Sequence, residues 1–199
     1  MFLKSEYKIL ELIYENPGIR LSELIKRARV SVATAKKRLD SLLNSKIITE
    51  KKILGGKRVL LKNFYPNLFS EEGRNVFSLI ESKKKQEFFE RNKDLAGPFD
   101  QLLKNIDKKI KIILIFGSFT TYSQDKNSDL DILFLIDEKI NQGILKKEIE
   151  RSFVTFKHEI SPRIDILSNF KNEGVYQTII KNHIIVKGAL YYFDIVKNF

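Results

Sequence analysis

Tyr7, Leu10, Ile13 and Tyr14 recur at helical spacing and predict a first helix over residues 5–15. Asn16-Pro17-Gly18 ends it, because a proline disfavours α geometry in the residue before it. Ser22 is placed to cap a short second helix with Leu24, Ile25 and Ala28 inside. Ser31 is placed to cap a third, with Ala35, Leu39 and Leu42 on one face. Two β-prone runs, Ile47–Leu54 and Lys57–Lys62, flank Gly55-Gly56 and predict a hairpin. Further on, Phe77, Leu79, Ile80, Phe88 and Phe89 mark the apolar side of a helical segment whose Lys83-Lys84-Lys85 forms a solvated face. Gly97-Pro98 is expected to break that helix, with Phe99, Leu102, Leu103 and Ile106 starting another. Ile110–Phe116 reads as a buried strand, Ile132–Ile136 as a second and Arg163–Leu167 as a third. A helix around Tyr176–Lys181 precedes an edge strand at Ile184–Val186, and Tyr191-Tyr192-Phe193 reads as a packing cluster.

The composition narrows the chemistry. Among 199 residues, the 43% that are apolar suffice for a packed core, and charged residues make up 31%. No apolar run reaches the ~18 residues of a membrane span, and the opening Met1–Glu6 lacks a signal-peptide layout, so a cytoplasmic protein with no membrane partner is expected. With no cysteine there is no disulfide framework, thiol nucleophile or Cys-ligated metal. His158 and His183 are the only histidines, so a multi-histidine site is excluded, and any metal takes oxygen ligands, as Mg²⁺ or Mn²⁺ does. Each histidine reads as surface or half-buried rather than catalytic, and the serines lack a His-Asp partner set for hydrolysis.

Charge divides the chain. Residues 1–65 hold 15 Lys/Arg against 6 Asp/Glu, whereas residues 66–199 hold 21 against 19. The excess behind the net +11 therefore sits on the helical, hairpin-bearing first third, as a nucleic-acid-binding module requires. The run LSELIKRARVSVATAKKRLDSLL, Leu21–Leu43, resembles the winged helix-turn-helix of prokaryotic transcription regulators. It departs from that family at Arg29, where glycine is common. The resemblance implies that the third helix enters the major groove of duplex DNA with Val32, Ala33, Lys36 and Lys37 facing it. Lys52, Lys57 and Arg58 on the wing would meet phosphates. Small side chains at Val32 and Ala33 offer few base hydrogen bonds, which favours shape and phosphate readout. Winged helices also serve as docking or dimerisation modules, and the choice between monomer and homodimer stays open.

The second half carries the candidate chemistry. Gly117-Ser118 follows the first strand directly, and ten residues later Asp129-Leu130-Asp131 opens the second. Side chains alternate along a strand, so Asp129 and Asp131 share a face and can converge on a divalent cation. Asp165, if on an adjacent strand, adds a third oxygen beside them. Gly117 lets a phosphate approach the backbone, and Ser118 offers a hydroxyl at a helix start. Such parts suit in-line attack on a nucleoside triphosphate.

Gly117-Ser118, the fixed gap, Asp129-x-Asp131 and the apolar strand after it resemble the signature of the DNA polymerase β-like nucleotidyltransferases, among them the minimal and aminoglycoside nucleotidyltransferases. The resemblance spans about residues 108–190. It implies that Asp129 and Asp131 bind Mg²⁺ or Mn²⁺ and that Asp165 joins the catalytic and metal set as general base. Gly117 and Ser118 would hold the NTP, with ATP expected. The family often continues after Gly-Ser with an aromatic residue or Arg and then Ala-Arg-Gly; here Phe119, Thr120, Thr121 and Tyr122 stand, without that later arginine and glycine.

The expected fold is thus α+β. A winged helix fills residues 1–65 and a helical connector 66–107. A nucleotidyltransferase domain with a mixed sheet flanked by helices fills 108–199. Minimal nucleotidyltransferases commonly act as antitoxins that modify a tyrosine of a HEPN-family toxin, so the resemblance implies NMP transfer to such a partner. The winged helix would then repress the protein's own operon. The competing reading is a transcription regulator whose catalytic domain serves as a nucleotide sensor or dimerisation unit; an antibiotic-modifying enzyme has no evident use for a basic winged helix.

Overall fold

The computed structural model of the chain describes residues 3–55, 58–106, 108–137, 140–170 and 175–197. It is a mixed α+β chain that divides into two compact units between Ile80 and Glu81, within one continuous helix.

The first unit begins with α1 (Lys4–Glu15), β1 (Ile19–Arg20), α2 (Leu21–Ala28) and α3 (Val32–Asn44). The hairpin β2 (Ile48–Gly55) and β3 (Arg58–Pro66) follows. β3 lies between β1 and β2, antiparallel to both. Ile9, Leu10 and Ile13 of α1, Leu24 of α2 and Ala35, Leu39 and Leu42 of α3 are buried together with Phe64 of β3. Tyr14 stacks on Phe77 at 5.1 Å between ring centroids. α3 starts where its cap lies: the Ser31 hydroxyl accepts the Thr34 N–H at 3.1 Å. Ser22, expected to cap α2, instead lies inside it. The cap position is Arg20, in extended geometry without a side-chain bond. Pairing of Ile19 and Arg20 with β3 fixes that entry, so no polar cap is required. Arg29 closes α2 with φ 54° and ψ 47°, the left-handed geometry that glycine fills more cheaply.

The residues expected as a connector are not separate from the two units. α4 (Glu71–Arg91) crosses the division, and α5 (Lys93–Asn105) follows. The break falls at Asn92, not at Gly97-Pro98. Asn92 carries both its backbone and side-chain N–H groups to the Phe88 carbonyl, each at 2.9 Å. Pro98 sits inside α5, costing an intrahelical hydrogen bond. Burial of Leu95, Pro98, Phe99 and Leu102 along one face offsets that loss. Leu79, expected on the apolar side of α4, is 63% exposed.

In the second unit, β4 (Ile110–Phe116), the one-turn α6 (Ser118–Thr121) and β5 (Leu130–Ile136) come first. Next are α7 (Gln142–Ser152), β6 (Ile160–Ile166), α8 (Val175–Lys181), β7 (Ile184–Lys187) and α9 (Ala189–Val196). The sheet order is β6-β5-β4-β7; β5 and β6 run parallel and the other pairs antiparallel. β4 and β5 are buried on both faces, which explains their continuous apolar runs. Phe99, Ile113, Ile132, Phe134, Leu145 and Ile149 belong to one core cluster joining α5, the sheet and α7. β6 is an exposed edge strand, where Pro162 loses no essential ladder bond. Tyr192 and Phe193 are buried, while Tyr191 is exposed.

Candidate functional site

β4 ends at Phe116, which pairs with Asp131 of β5. Gly117 then turns the chain with φ 76° and ψ −152°, a conformation nearly reserved for glycine. A Cβ added there would stand 2.2 Å from Asp131 Oδ2. The glycine at this position therefore makes room for the Asp131 carboxylate, which sequence reasoning had not assigned to it.

Asp131 is half-buried and Asp129, just before β5, is exposed. Burial raises the Asp131 carboxyl above its usual range; the Ser161 hydroxyl opposes this, and the negative charge of Asp129 adds to it. The two carboxylates are thus close enough to repel, and a cation between them relieves the repulsion. An all-oxygen donor set suits a hard ion such as Mg²⁺ or Mn²⁺.

Behind Gly117, α6 is a single turn. Thr120 Oγ1 donates to the Gly117 carbonyl at 2.8 Å, and Thr121 Oγ1 to the Ser118 carbonyl at 3.1 Å. Tyr122 takes φ 55°, the geometry a glycine there would adopt freely, with Arg91 4.6 Å above its ring. Before Asp129, the Asp125 carboxylate accepts from the Asn127 N–H at 2.9 Å and from the Ser128 hydroxyl at 3.1 Å. These bonds hold the Asp125 carboxyl below its usual range.

Asp165 does not join the pair. It lies on the adjacent strand, but β5 and β6 pair Asp131 with Ser161 and Leu135 with Asp165. That is four residues, or ~13 Å, along the strand from Asp131. Its carboxylate accepts from the Tyr176 hydroxyl and from the Ile166 N–H, and Arg163 stands 3.7 Å away. Asp165 ties β6 to α8. Among the described residues, no group of three or more acidic or histidine side chains is arranged to hold a metal.

Two residues at this edge escaped the sequence reading. Ser161 faces Asp131, and Glu159, one position before the Leu130–Ile160 pair, accepts the Leu130 N–H on its carbonyl at 2.8 Å. β6 starts three residues earlier than expected, and Pro162 hid that start.

In the first unit, Val32, Ala33, Lys36 and Lys37 are exposed on α3, away from the buried Ala35, Leu39 and Leu42. Lys36 also lines an open groove of about 680 Å³ with Arg20, Leu39, Leu61 and Lys62. Lys52 is exposed on β2 but lies 3.0 Å from Glu50, as does Lys62. Lys57 lies outside the described residues; Arg58 is on β3, and its side chain is likewise not described. The wing also exposes Ile53 and Leu54, which the charge reading passed over.

Residues 3–49 match the family of winged helix-turn-helix DNA-binding domains, and residues 100–189 the family described as polymerase beta, nucleotidyltransferase. Among solved structures, the chain is similar to the transcriptional regulator SlyA at 24% identity and TM-score 0.35, over 42% of this chain and 55% of that one. It is similar to a MarR protein from Peptoclostridium difficile at 23% identity and TM-score 0.35, over 51% and 63% of the two chains. A toxin-antitoxin structure with AMP-PNP is similar at 18% identity and TM-score 0.37, over 51% and 83%. The chain thus spans less than two thirds of the length of the first two. No curated protein matches it in sequence. Among the described residues no helix is long and apolar enough to cross a membrane.

Proposed function

From a chain that joins a winged helix-turn-helix domain to a polymerase beta-type nucleotidyltransferase domain, we propose a DNA-binding, Mg²⁺- or Mn²⁺-dependent transferase of NMP groups from an NTP, with ATP as the expected donor. The observation that carries the reading is the fit of Gly117 against Asp131, beside Asp129. Glycine takes that turn without strain and leaves room for the Asp131 carboxyl, which the negative charge of Asp129 also raises. Asp129 and Asp131 hold the metal, and Gly117 and Ser118 lie where the triphosphate is received. Bound metal supplies charge neutralisation for the triphosphate and for the oxygens entering and leaving phosphorus. The acceptor hydroxyl forms the new P–O bond, and pyrophosphate leaves with the electrons of the broken one. With Asp165 removed from the site, Glu159, whose backbone carbonyl accepts the Leu130 N–H beside Asp129, is the residue to whose carboxylate we assign the general-base role.

The resemblance of the Gly-Ser and Asp-x-Asp motif to minimal nucleotidyltransferases supports a tyrosine of a HEPN-family toxin as acceptor. The exposed α3 face, with Lys36 and Lys37, supports binding to duplex DNA and repression of the operon that encodes the pair, in the cytoplasm. The second reading, a regulator whose C-terminal domain senses nucleotide without transferring it, is favoured by one observation: Ser161, not a carboxylate, faces Asp131.

The experiment is mass spectrometry of the chain and the products of neighbouring genes after incubation with ATP and Mg²⁺ or Mn²⁺. A gain of one nucleotide on a partner, lost in Asp129→Asn and reduced in Glu159→Gln, supports transfer. Nucleotide binding with no mass gain on protein or RNA supports the sensor.

A further inference from the structure

The sequence marks His158 as surface or half-buried rather than catalytic; the fold sets it beside the entry to Asp129. Its Nδ1 lies 2.9 Å from the carbonyl of Ser128, the residue before Asp129. A carbonyl only accepts, so Nδ1 carries the hydrogen and donates it. The ring meets Phe119, the residue after Ser118, edge-on at 5.2 Å, and lies 5.4 Å from Phe156. Phe156 contacts Phe153, which packs edge-on against Phe99 of the core at 5.0 Å. One side chain therefore joins the Gly117-Ser118 turn, the entry to Asp129 and an aromatic ladder rooted in the core. The next residue adds a second tie, because the Glu159 carbonyl accepts the Leu130 N–H at 2.8 Å.

We infer that His158 is a positioning residue for the metal–nucleotide site, clamping the Ser128 carbonyl so that Asp129 stands beside Asp131 and in line with the Gly117-Ser118 turn. The clamp acts through backbone rather than by touching nucleotide. Asp129 is exposed and lies just outside β5, so ladder hydrogen bonds do not fix it. Its place depends on its two neighbours: Leu130 is tied to the Glu159 carbonyl, and the Ser128 carbonyl has His158 as its anchor to the core. Without that donor, Asp129 samples positions too far from Asp131 to share a cation. Residues that orient metal ligands typically change affinity by ~10–100-fold when lost.

The inference rests on the reading that Asp129 and Asp131 receive a metal–nucleotide, and the test separates the two. The full chain and the variants His158→Phe and His158→Asn are titrated with Mn²⁺–ATP by calorimetry, and amide hydrogen exchange is followed over residues 128–131. Phenylalanine keeps the ring packing and removes the donor; asparagine keeps a donor near the Nδ1 position and removes the ring. Expected is at least ~10-fold weaker binding and faster exchange at 128–131 in His158→Phe, with His158→Asn within about threefold of wild type. If His158→Phe does not fold, His158→Gln, whose amide sits one methylene further out, replaces it with the same expectation. Equal binding and exchange in wild type and His158→Phe overturns the inference, as does a His158→Asn variant as weak as His158→Phe. A wild-type chain that binds no Mn²⁺–ATP counts against the metal–nucleotide reading; hydrogen exchange alone then decides the clamp, and unchanged protection at 128–131 overturns it.

Discussion

Replacing Gly117 by alanine adds one methyl group where the structure leaves no place for it. At φ 76° and ψ −152° an L-residue is strained by about 1–3 kcal/mol. The new Cβ would also lie 2.2 Å from Asp131 Oδ2, so the carboxylate has to rotate away or the turn has to shift. Taking about 2 kcal/mol for the sum, the C-terminal unit should melt roughly 5–10 °C lower. Displacing one of two paired carboxylates should weaken Mn²⁺–ATP binding by at least ~10-fold. Gly97→Ala is the matched control. A Cβ at Gly97 meets nothing within 4 Å, and the residue sits exposed inside α5. There alanine should stabilise by about 0.5–1 kcal/mol through helix propensity and leave binding unchanged. Differential scanning calorimetry and isothermal titration of both variants decide it. A Gly117→Ala protein that melts with the wild type and binds Mn²⁺–ATP equally well would refute the claim that this glycine exists for Asp131.

Burial raises the Glu81 carboxyl, but His183 and then Lys84 outweigh it and hold the group down to about 2. The native chain therefore binds fewer protons than the unfolded one below pH ~4.5; this stability is complete above that pH and fades as pH falls toward 2. Glu81→Gln should cost about 3 kcal/mol at pH 7 and flatten the acid limb of stability in urea titrations at several pH values. Ser31→Ala removes the α3 cap and should cost about 1 kcal/mol, read as a lower melting point of the N-terminal unit. Lys36→Ala with Lys37→Ala should weaken binding to duplex DNA and reduce the salt slope of log K by about 2, measured by fluorescence anisotropy; an unchanged slope would remove α3 from the contact.

What the sequence revealed follows from which signals are local. Ser31 announced its helix because a cap acts within three residues. The apolar strand that carries Asp131 was legible because a continuous buried run needs no partner, whereas Asp129, expected on that strand, lies just before it. Asp165 was misplaced for the complementary reason. Its strand was found, but which residue of β5 it faces is a matter of register between parallel strands separated by a helix, and periodicity carries no such information. Gly97-Pro98 looked like a break because the cost of proline in a helix is local, whereas burial of Leu95, Phe99 and Leu102 is tertiary. His158 and Glu159 reach the site only through the fold, across 30 residues in the case of the His158–Ser128 bond, so no spacing pattern could have marked them.

The most direct test of the account is a side-by-side titration of the full chain and two variants with Mn²⁺–ATP. One variant carries Asp129→Asn with Asp131→Asn; the other carries Asp165→Asn. The double variant should stay folded and lose metal-dependent nucleotide binding. Asp165→Asn should bind as the wild type does, because its carboxylate serves Tyr176 and Arg163 rather than the site. Undiminished affinity in the double variant, or loss of binding in Asp165→Asn at unchanged thermal stability, would contradict the account.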